Sequence, residues 1–289
     1  MKKMLGAVLI GVLFAAAPVA AAYASEQKFD GSLYYLKGNL WAIQELKGNI
    51  DGNNFEDTVT LVVERNESNG MDERMWFEVR PGYDPKTPVE RRPKPFVAAL
   101  PADVKGYNTR MELTNFIPGE REQVFLTFDA SPSGPRYFEV VQIRAEDVRK
   151  DAKFLFDSRT MARAIISGEF IGKFRATIHV DDTKTNALLD LSGKKDFYVK
   201  EKVYDNSGKL YRPVNLRAKR YDDISLGERD AQGVTQLNAT IELFGANDED
   251  HVATVNCVMK YDPPFGSWKV MESQVVPAAN IVFVPARER

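Results

Sequence analysis

The chain has 289 residues, of which 44% are hydrophobic and 28% are charged, and its formal net charge is −2 at pH 7. Nucleic acid binding requires a basic face, so this slightly acidic balance argues against nucleic acid as a partner. The length allows one large domain or two small ones with a substantial core. Fifteen prolines, eleven tyrosines and seventeen phenylalanines are typical of a turn-rich β protein.

The first 24 residues have the features of a Sec-type signal peptide. Two lysines precede an apolar run from Leu5 to Val19, and Ala22-Tyr23-Ala24 is a small-x-small cleavage site. The run is short for a membrane span, and no later stretch of the sequence is apolar enough to cross a bilayer. We expect cleavage before Ser25, with an uncleaved anchor as the alternative, and therefore an extracellular, periplasmic or envelope-associated protein.

Short segments in which polar and apolar residues alternate follow one another along the chain and predict β-strands. Leu40–Leu46 enters a polar loop, Thr58–Glu64 leaves it, and Met75–Val79 returns beside the latter as a hairpin. The stretch from Pro81 to Pro95 contains five prolines, which favours a surface loop.

The loop between the first two of these strands alternates oxygen-bearing side chains. They are Asn49, Asp51, Asn53 and Asp57. Ca²⁺ binds six to eight oxygens from carboxylates, amides and backbone carbonyls, so the pattern predicts a structural Ca²⁺ site. Gly52 and Asn54 tolerate the left-handed backbone that a tight loop requires. The alternative is that the four side chains cap turns by hydrogen bonding to nearby amides.

The scheme of strand, loop and strand recurs along the chain. In a second copy, at Asn115–Gln123, the ligand residues are replaced, and we interpret it as a repeat that kept the turn and lost the metal. A third copy is predicted at Gly227–Leu237, where Glu228 to Gln236 supply the polar positions. Repetition of this kind is typical of a propeller or a related β array.

The loop resembles the Asp-x-Asp/Asn-x-Asp/Asn-Gly-x-x-Asp loop of FG-GAP repeats, also called VCBS or integrin-alpha-type repeats. Leu155–Asp157 and Tyr204–Leu210 extend the resemblance to secreted Gram-positive members of unknown function. The resemblance implies a loop ahead of the first strand of a propeller blade. It also implies calcium ligands at Asn49, Asp51, Asn53 and Asp57, and at the backbone carbonyl of Phe55. Asn49 and Asn54 depart from the pattern, which has Asp and Gly there.

Residues 25–289 are therefore expected to form a single all-β domain with one or two short helices. The predicted architecture is a β-propeller-like array of degenerate FG-GAP-type repeats, with a mixed β-sandwich as the alternative. Leu155–Ile166 is the candidate helix, with Ser158 as a possible cap. Phe197–Tyr204 is predicted as a strand.

The sequence contains no recognisable catalytic motif. His179 and His251 lack zinc-ligand spacing, and neither a Gly-x-Ser-x-Gly elbow nor a phosphate loop is present. The strand-like surroundings of Cys257 favour a buried structural thiol over a nucleophile. The three tryptophans either form a binding face or belong to the core.

We expect an exported, non-catalytic protein of the cell envelope or extracellular space that binds a protein or glycan partner. A secreted hydrolase acting on polysaccharide or phosphoester is one alternative. A purely structural envelope protein is another.

Overall fold

The computed structural model describes residues 34–119, 121–146, 149–161 and 166–284. The all-β prediction is confirmed, since 56% of the structure is strand and 6% is helix. Two short α-helices are described, α1 (Ser158–Met161) and α2 (Lys195–Lys200), and 3-10 turns occur at Val89–Arg91 and Ser192–Lys194. The predicted signal peptide at residues 1–24 lies outside the described residues.

The strands of the described residues form four antiparallel sheets. They are β1 (Tyr34–Lys37), β2 (Leu40–Gly48), β3 (Asp57–Arg65), β4 (Asp72–Arg80), β5 (Phe96–Ala99), β6 (Tyr107–Thr114), β7 (Gln123–Asp129), β8 (Arg136–Glu146), β9 (Arg149–Asp157), β10 (Ile166–Ile171), β11 (Arg175–Val180), β12 (Thr185–Asp190), β13 (Arg217–Arg229), β14 (Thr235–Phe244), β15 (His251–Asp262), β16 (Ser267–Pro277) and β17 (Val282–Phe283). The sheet orders are β1-β2-β3-β4-β5, β6-β7-β8-β9, β10-β11-β12-β17 and β13-β14-β15-β16. Three of these sheets are simple meanders, which is also the connectivity within a propeller blade.

The chain divides into two compact units. Among the described residues, the first unit comprises those up to Lys105 together with those of Arg144–Ala152, and the second comprises those of Gly106–Ile143 and those from Lys153 onward. A single domain over residues 25–289 stays a prediction.

The first two sheets repeat each other's strand pairing. Thr60 lies opposite Glu78 in the first sheet, and Leu126 lies opposite Glu139 in the second. The stretches Trp76–Val79 and Tyr137–Val140, which read Trp-Phe-Glu-Val and Tyr-Phe-Glu-Val, therefore occupy matching places.

The second unit contains a large apolar core, to which one face of the β13–β16 sheet contributes. Along β14 the residues alternate between buried and accessible from Thr235 to Phe244, and β15 follows the same rule over most of its length. Because successive side chains of a strand point to opposite faces, this sheet buries one face and leaves the other open. Trp268 and Cys257 lie in the core, 6% and 3% exposed respectively.

Two local predictions are wrong. Leu155–Asp157 completes β9, and helix α1 begins only at Ser158, whose hydroxyl accepts a hydrogen bond from the Phe138 amide at 2.9 Å. Residues 162–165 of the predicted helix lie outside the described residues. The first residues of the predicted strand at Phe197–Tyr204 form part of helix α2 instead. In this helix Tyr198 is buried in the core, where its hydroxyl donates a hydrogen bond to Asp250 at 3.1 Å.

Candidate functional site

The loop between β2 and β3 is closed by the carboxylate of Asp57, which is fully buried. Its Oδ2 accepts hydrogen bonds from the backbone amides of Ile50 at 2.7 Å and Asp51 at 3.1 Å, and its Oδ1 accepts one from the Gly82 amide at 2.6 Å. Buried amide groups need acceptors, and an ionised acceptor gives the stronger bonds. Asp57 therefore fixes both ends of the loop and the segment that follows β4.

The remaining predicted ligands make short-range turns. The side-chain oxygens of Asn49, Asp51 and Asn53 accept hydrogen bonds from the amides of Gly52, Asn53 and Phe55 at 2.7, 2.9 and 2.8 Å, in that order. The Phe55 side chain is 38% exposed. Gly52 and Asn54 adopt positive φ values of 83° and 65°, which confirms the left-handed backbone expected there.

This arrangement is that of a hydrogen-bonded cap. Ca²⁺ draws six to eight oxygens towards one point, whereas the Asp57 carboxylate faces three backbone N–H groups. Asp51 and Asp57 are the two carboxylates among the predicted ligands. The described geometry therefore favours the alternative in which these side chains cap turns over a calcium ligand set.

A thermal melt tests the calcium prediction. We expect the same Tm, within about 1 °C, in 2 mM calcium and in chelator, because a site that calcium does not occupy gains no stability from it. The Asn49→Ala/Asp51→Ala double variant serves as the control. A calcium-dependent rise in Tm that this variant loses would establish the metal site.

Buried acceptors occupy the matching position in two other sheets. Gln123 Oε1 accepts hydrogen bonds from the amides of Phe116 at 2.7 Å and Ile117 at 3.2 Å, so the second copy retains its cap as an amide. Asp250, immediately before β15, accepts a hydrogen bond from the Ala246 amide at 2.9 Å. Asp250 also receives hydrogen bonds at 3.1 Å from Lys194 and Tyr198.

The third copy of the loop is therefore not where the sequence analysis placed it. Glu228 to Gln236 spans the β13–β14 turn, in which Asp230 caps the amides of Gln232 and Val234. The sequence does hold a signal for residues 245–250, since Leu-x-Gly precedes this loop and the β2–β3 loop alike.

Glu78 is a further buried carboxylate of the first unit, besides Asp57 and Asp72. It is 2% exposed, and neither of its oxygens lies in hydrogen-bonding geometry with a partner. Burial raises the pKa of Glu78 above its ordinary value, while the Trp76 indole and the Arg80 charge act in the opposite direction. Its counterpart Glu139 is paired with Arg159 at 3.2 Å.

The raised pKa of Glu78 predicts a pH-dependent cost to stability. Because the folded state holds the proton more tightly than the unfolded state, this contribution to stability falls as the pH rises from about 4.5 through the raised pKa. Above that window we expect Glu78→Gln to be more stable than the parent by about 1 kcal/mol, and below it we expect no gain. Urea midpoints between pH 4 and pH 8 measure the difference. Glu67→Gln, at an exposed position, should leave the free energy of unfolding unchanged both above and below this pH window. A loss of stability in Glu78→Gln at pH 8 would contradict the role of Glu78.

The two histidines contact nearby polar side chains, and Cys257 lies in the core. His179 lies 2.8 Å from Asp181 and 2.6 Å from Asn186, and His251 lies 3.1 Å from the Thr254 hydroxyl. Burial raises the pKa of the Cys257 thiol to about 12. A thiol with such a pKa is protonated and unreactive at neutral pH, as expected of a structural cysteine.

A polar groove lies on the open face of the β13–β16 sheet. Its volume is about 330 Å³, and its polar lining includes Asp223, Ser225, Asn238, Thr240, Asn256 and Gln274. Glu272 and Val258 complete the face. The sequence alone does not reveal this groove, because its residues come from four strands and no local pattern joins them.

Two rows of side chains cross the four strands of the groove. Strand pairing places Asp223, Thr240, Asn256 and Gln274 in one row. It places Ser225, Asn238, Val258 and Glu272 in the next. Thr240 Oγ1 donates to Asn256 Oδ1 at 3.3 Å. The groove thus presents amides, hydroxyls and two carboxylates on a rigid sheet.

No helix among the described residues has the length and apolar composition of a membrane span.

No curated protein and no solved structure matches the chain. One family model does match, over a segment that holds most of β10–β16 and every residue of the polar groove. Residues 164–276 are similar to the family described as the YybI C-terminal domain.

Proposed function

We propose that this chain is an exported, non-catalytic protein of the cell envelope that binds its partner through the polar groove. The observation that carries the proposal is the open face of the β13–β16 sheet, where accessible polar side chains gather in a groove of about 330 Å³. Binding sites are generally concave and placed on rigid elements. A four-stranded sheet with one face in the core supplies that rigidity.

Export is part of the proposal and is supported by the lysine-led apolar run and the Ala22-Tyr23-Ala24 site. Fractionation of the producing cells should place the protein outside the cytoplasm. N-terminal sequencing of the recovered protein should begin at Ser25. A cytoplasmic protein that begins at Met1 would overturn this part of the proposal.

An architecture of FG-GAP-type repeats is also part of the proposal. It is supported by the meander sheets and by the capped loop that precedes the second strand of the β2–β3 and β6–β7 pairs. In this proposal the loops stabilise the fold, and the sheet face does the binding.

Sedimentation with isolated cell-envelope fragments tests the binding function. We expect the full chain to co-sediment and the Asn256→Ala/Gln274→Ala variant to remain largely in the supernatant. A matched control, Glu228→Ala/Gln232→Ala, changes one exposed residue of β13 and one of the β13–β14 turn, both outside the groove. Equal sedimentation of all three proteins would overturn the role of the groove.

Hydrolysis is the second candidate, because Asp223 and Glu272 both line the groove. Glycosidases use paired carboxylates about 5–9.5 Å apart. These two residues lie on β13 and β16, three strand spacings and one row apart, which amounts to roughly 16 Å across a flat sheet. That separation favours binding over hydrolysis. Turnover of a polysaccharide that is lost in both Asp223→Asn and Glu272→Gln would reverse the preference.

A further inference from the structure

We propose that the ligand of the polar groove is an uncharged, hydroxyl-rich glycan chain that lies across strands β13 to β16. This inference rests on the proposed binding function and specifies the chemical class of its ligand. It follows from the lining chemistry, the charge of the groove and the spacing of its two rows.

The lining side chains suit hydroxyl groups. Side-chain amides and hydroxyls each donate and accept hydrogen bonds, as sugar hydroxyls do. Asn238, Asn256 and Gln274 supply amides, and Ser225 and Thr240 supply hydroxyls. A ligand that both donates and accepts at many points can therefore pair with this surface without leaving a polar group unsatisfied.

The groove discriminates against charged and apolar partners. Its ionisable lining residues are Asp223 and Glu272, and no Lys, Arg or His lines it. Anionic polymers such as uronate or phosphate chains are therefore repelled. Protein partners usually anchor in sites rich in Trp, Tyr and Arg, and none of these residues lines the groove.

The two rows suit an extended chain. Neighbouring strands are about 4.8 Å apart, and residues two apart on a strand are separated by about 6.8 Å. In the first row, Asp223, Thr240, Asn256 and Gln274 offer a polar group at each strand. A chain laid across the strands therefore meets a hydrogen-bonding partner at every step.

Gly227 contributes to the shape of the groove. A Cβ at this position would come within 3.0 Å of Asn238 Oδ1. Because residue 227 has no side chain, the Asn238 amide fits beside β13. No aromatic side chain lines the groove, so binding there depends on hydrogen bonds.

Ligand-observed NMR with the full chain tests the inference. The probes are hexasaccharides of glucose with β-1,4, β-1,3 or α-1,4 linkages, the hexamer of N-acetylglucosamine, and the anionic hexamer of galacturonate. We expect saturation transfer to at least one neutral hexamer and none to galacturonate. Asn256→Ala/Gln274→Ala should weaken the neutral interaction about tenfold or more, since each lost hydrogen bond contributes about 0.5–1.5 kcal/mol.

The same control, Glu228→Ala/Gln232→Ala, should bind as the parent does. Binding of galacturonate alone, binding of none of the neutral hexamers, or equal loss in the control would overturn the glycan assignment. If the groove variant still loses envelope sedimentation in that case, the binding function stands and only the ligand class is wrong. If sedimentation does not depend on the groove, the proposed function fails as well.

Discussion

Replacing Trp268 by alanine should destabilise the protein by about 3–5 kcal/mol, the usual cost of removing a buried tryptophan. The ring packs against Phe116, Phe156 and Tyr261 at centroid distances of 5.5, 5.6 and 5.6 Å. Its Nε1 also donates a buried hydrogen bond to the Leu155 carbonyl at 2.8 Å. The substitution therefore leaves a cavity and an unsatisfied carbonyl together. Urea unfolding followed by far-UV circular dichroism measures the loss.

Two further variants serve as comparisons for Trp268→Ala. Trp268→Phe keeps an aromatic ring in the core and removes the indole donor, so it should cost clearly less than the alanine variant. Phe265→Ala, at a position that is 75% exposed, should cost about 0.5 kcal/mol or less. Similar losses for Trp268→Ala and Phe265→Ala would show that Trp268 is not part of the core.

Replacing Asp57 by alanine should cost about 3 kcal/mol, because an unsatisfied buried donor costs about 1–3 kcal/mol and several are left at once. The donors are the backbone amides of Ile50, Asp51 and Gly82. The measurement is urea unfolding of the first unit, monitored by the fluorescence of Trp41 and Trp76 in a Trp268→Phe background.

Asp57→Asn and Asp51→Ala complete this series. Both oxygens of Asp57 accept backbone N–H groups, so the amide nitrogen of asparagine would face a donor. We therefore expect Asp57→Asn to lose more than half as much stability as the alanine variant. Asp51→Ala removes a local turn contact and should cost about 1 kcal/mol. A larger loss for Asp51→Ala than for Asp57→Ala would contradict the role of Asp57.

The capped loops at Asp57 and Gln123 show why a side-chain amide is suitable in one copy of the loop and destabilising in the other. Gln123 uses a single oxygen towards the loop and donates its amide nitrogen to the Arg121 carbonyl at 2.8 Å. Asp57 uses both oxygens as acceptors. An amide therefore fits the second copy and does not fit the first.

The sequence by itself determines the class of the fold and the position of its first loop. Alternation of polar and apolar residues is a local signal with a period of two, and it survives in β14 and β15 as alternating burial. Glycine and asparagine at positive φ are equally local, which explains why Gly52 and Asn54 are placed correctly. The burial of Cys257 follows from the same alternation.

Only the tertiary structure decides the rest, because the partners are far apart along the chain. Asp250 closes its loop with Lys194 and Tyr198, so helix α2 forms where the local pattern predicts a strand. The polar groove joins one residue or more from each of four strands, and no window of sequence contains it. Each of its side chains is unremarkable alone, and their common face exists only once strand register brings them side by side.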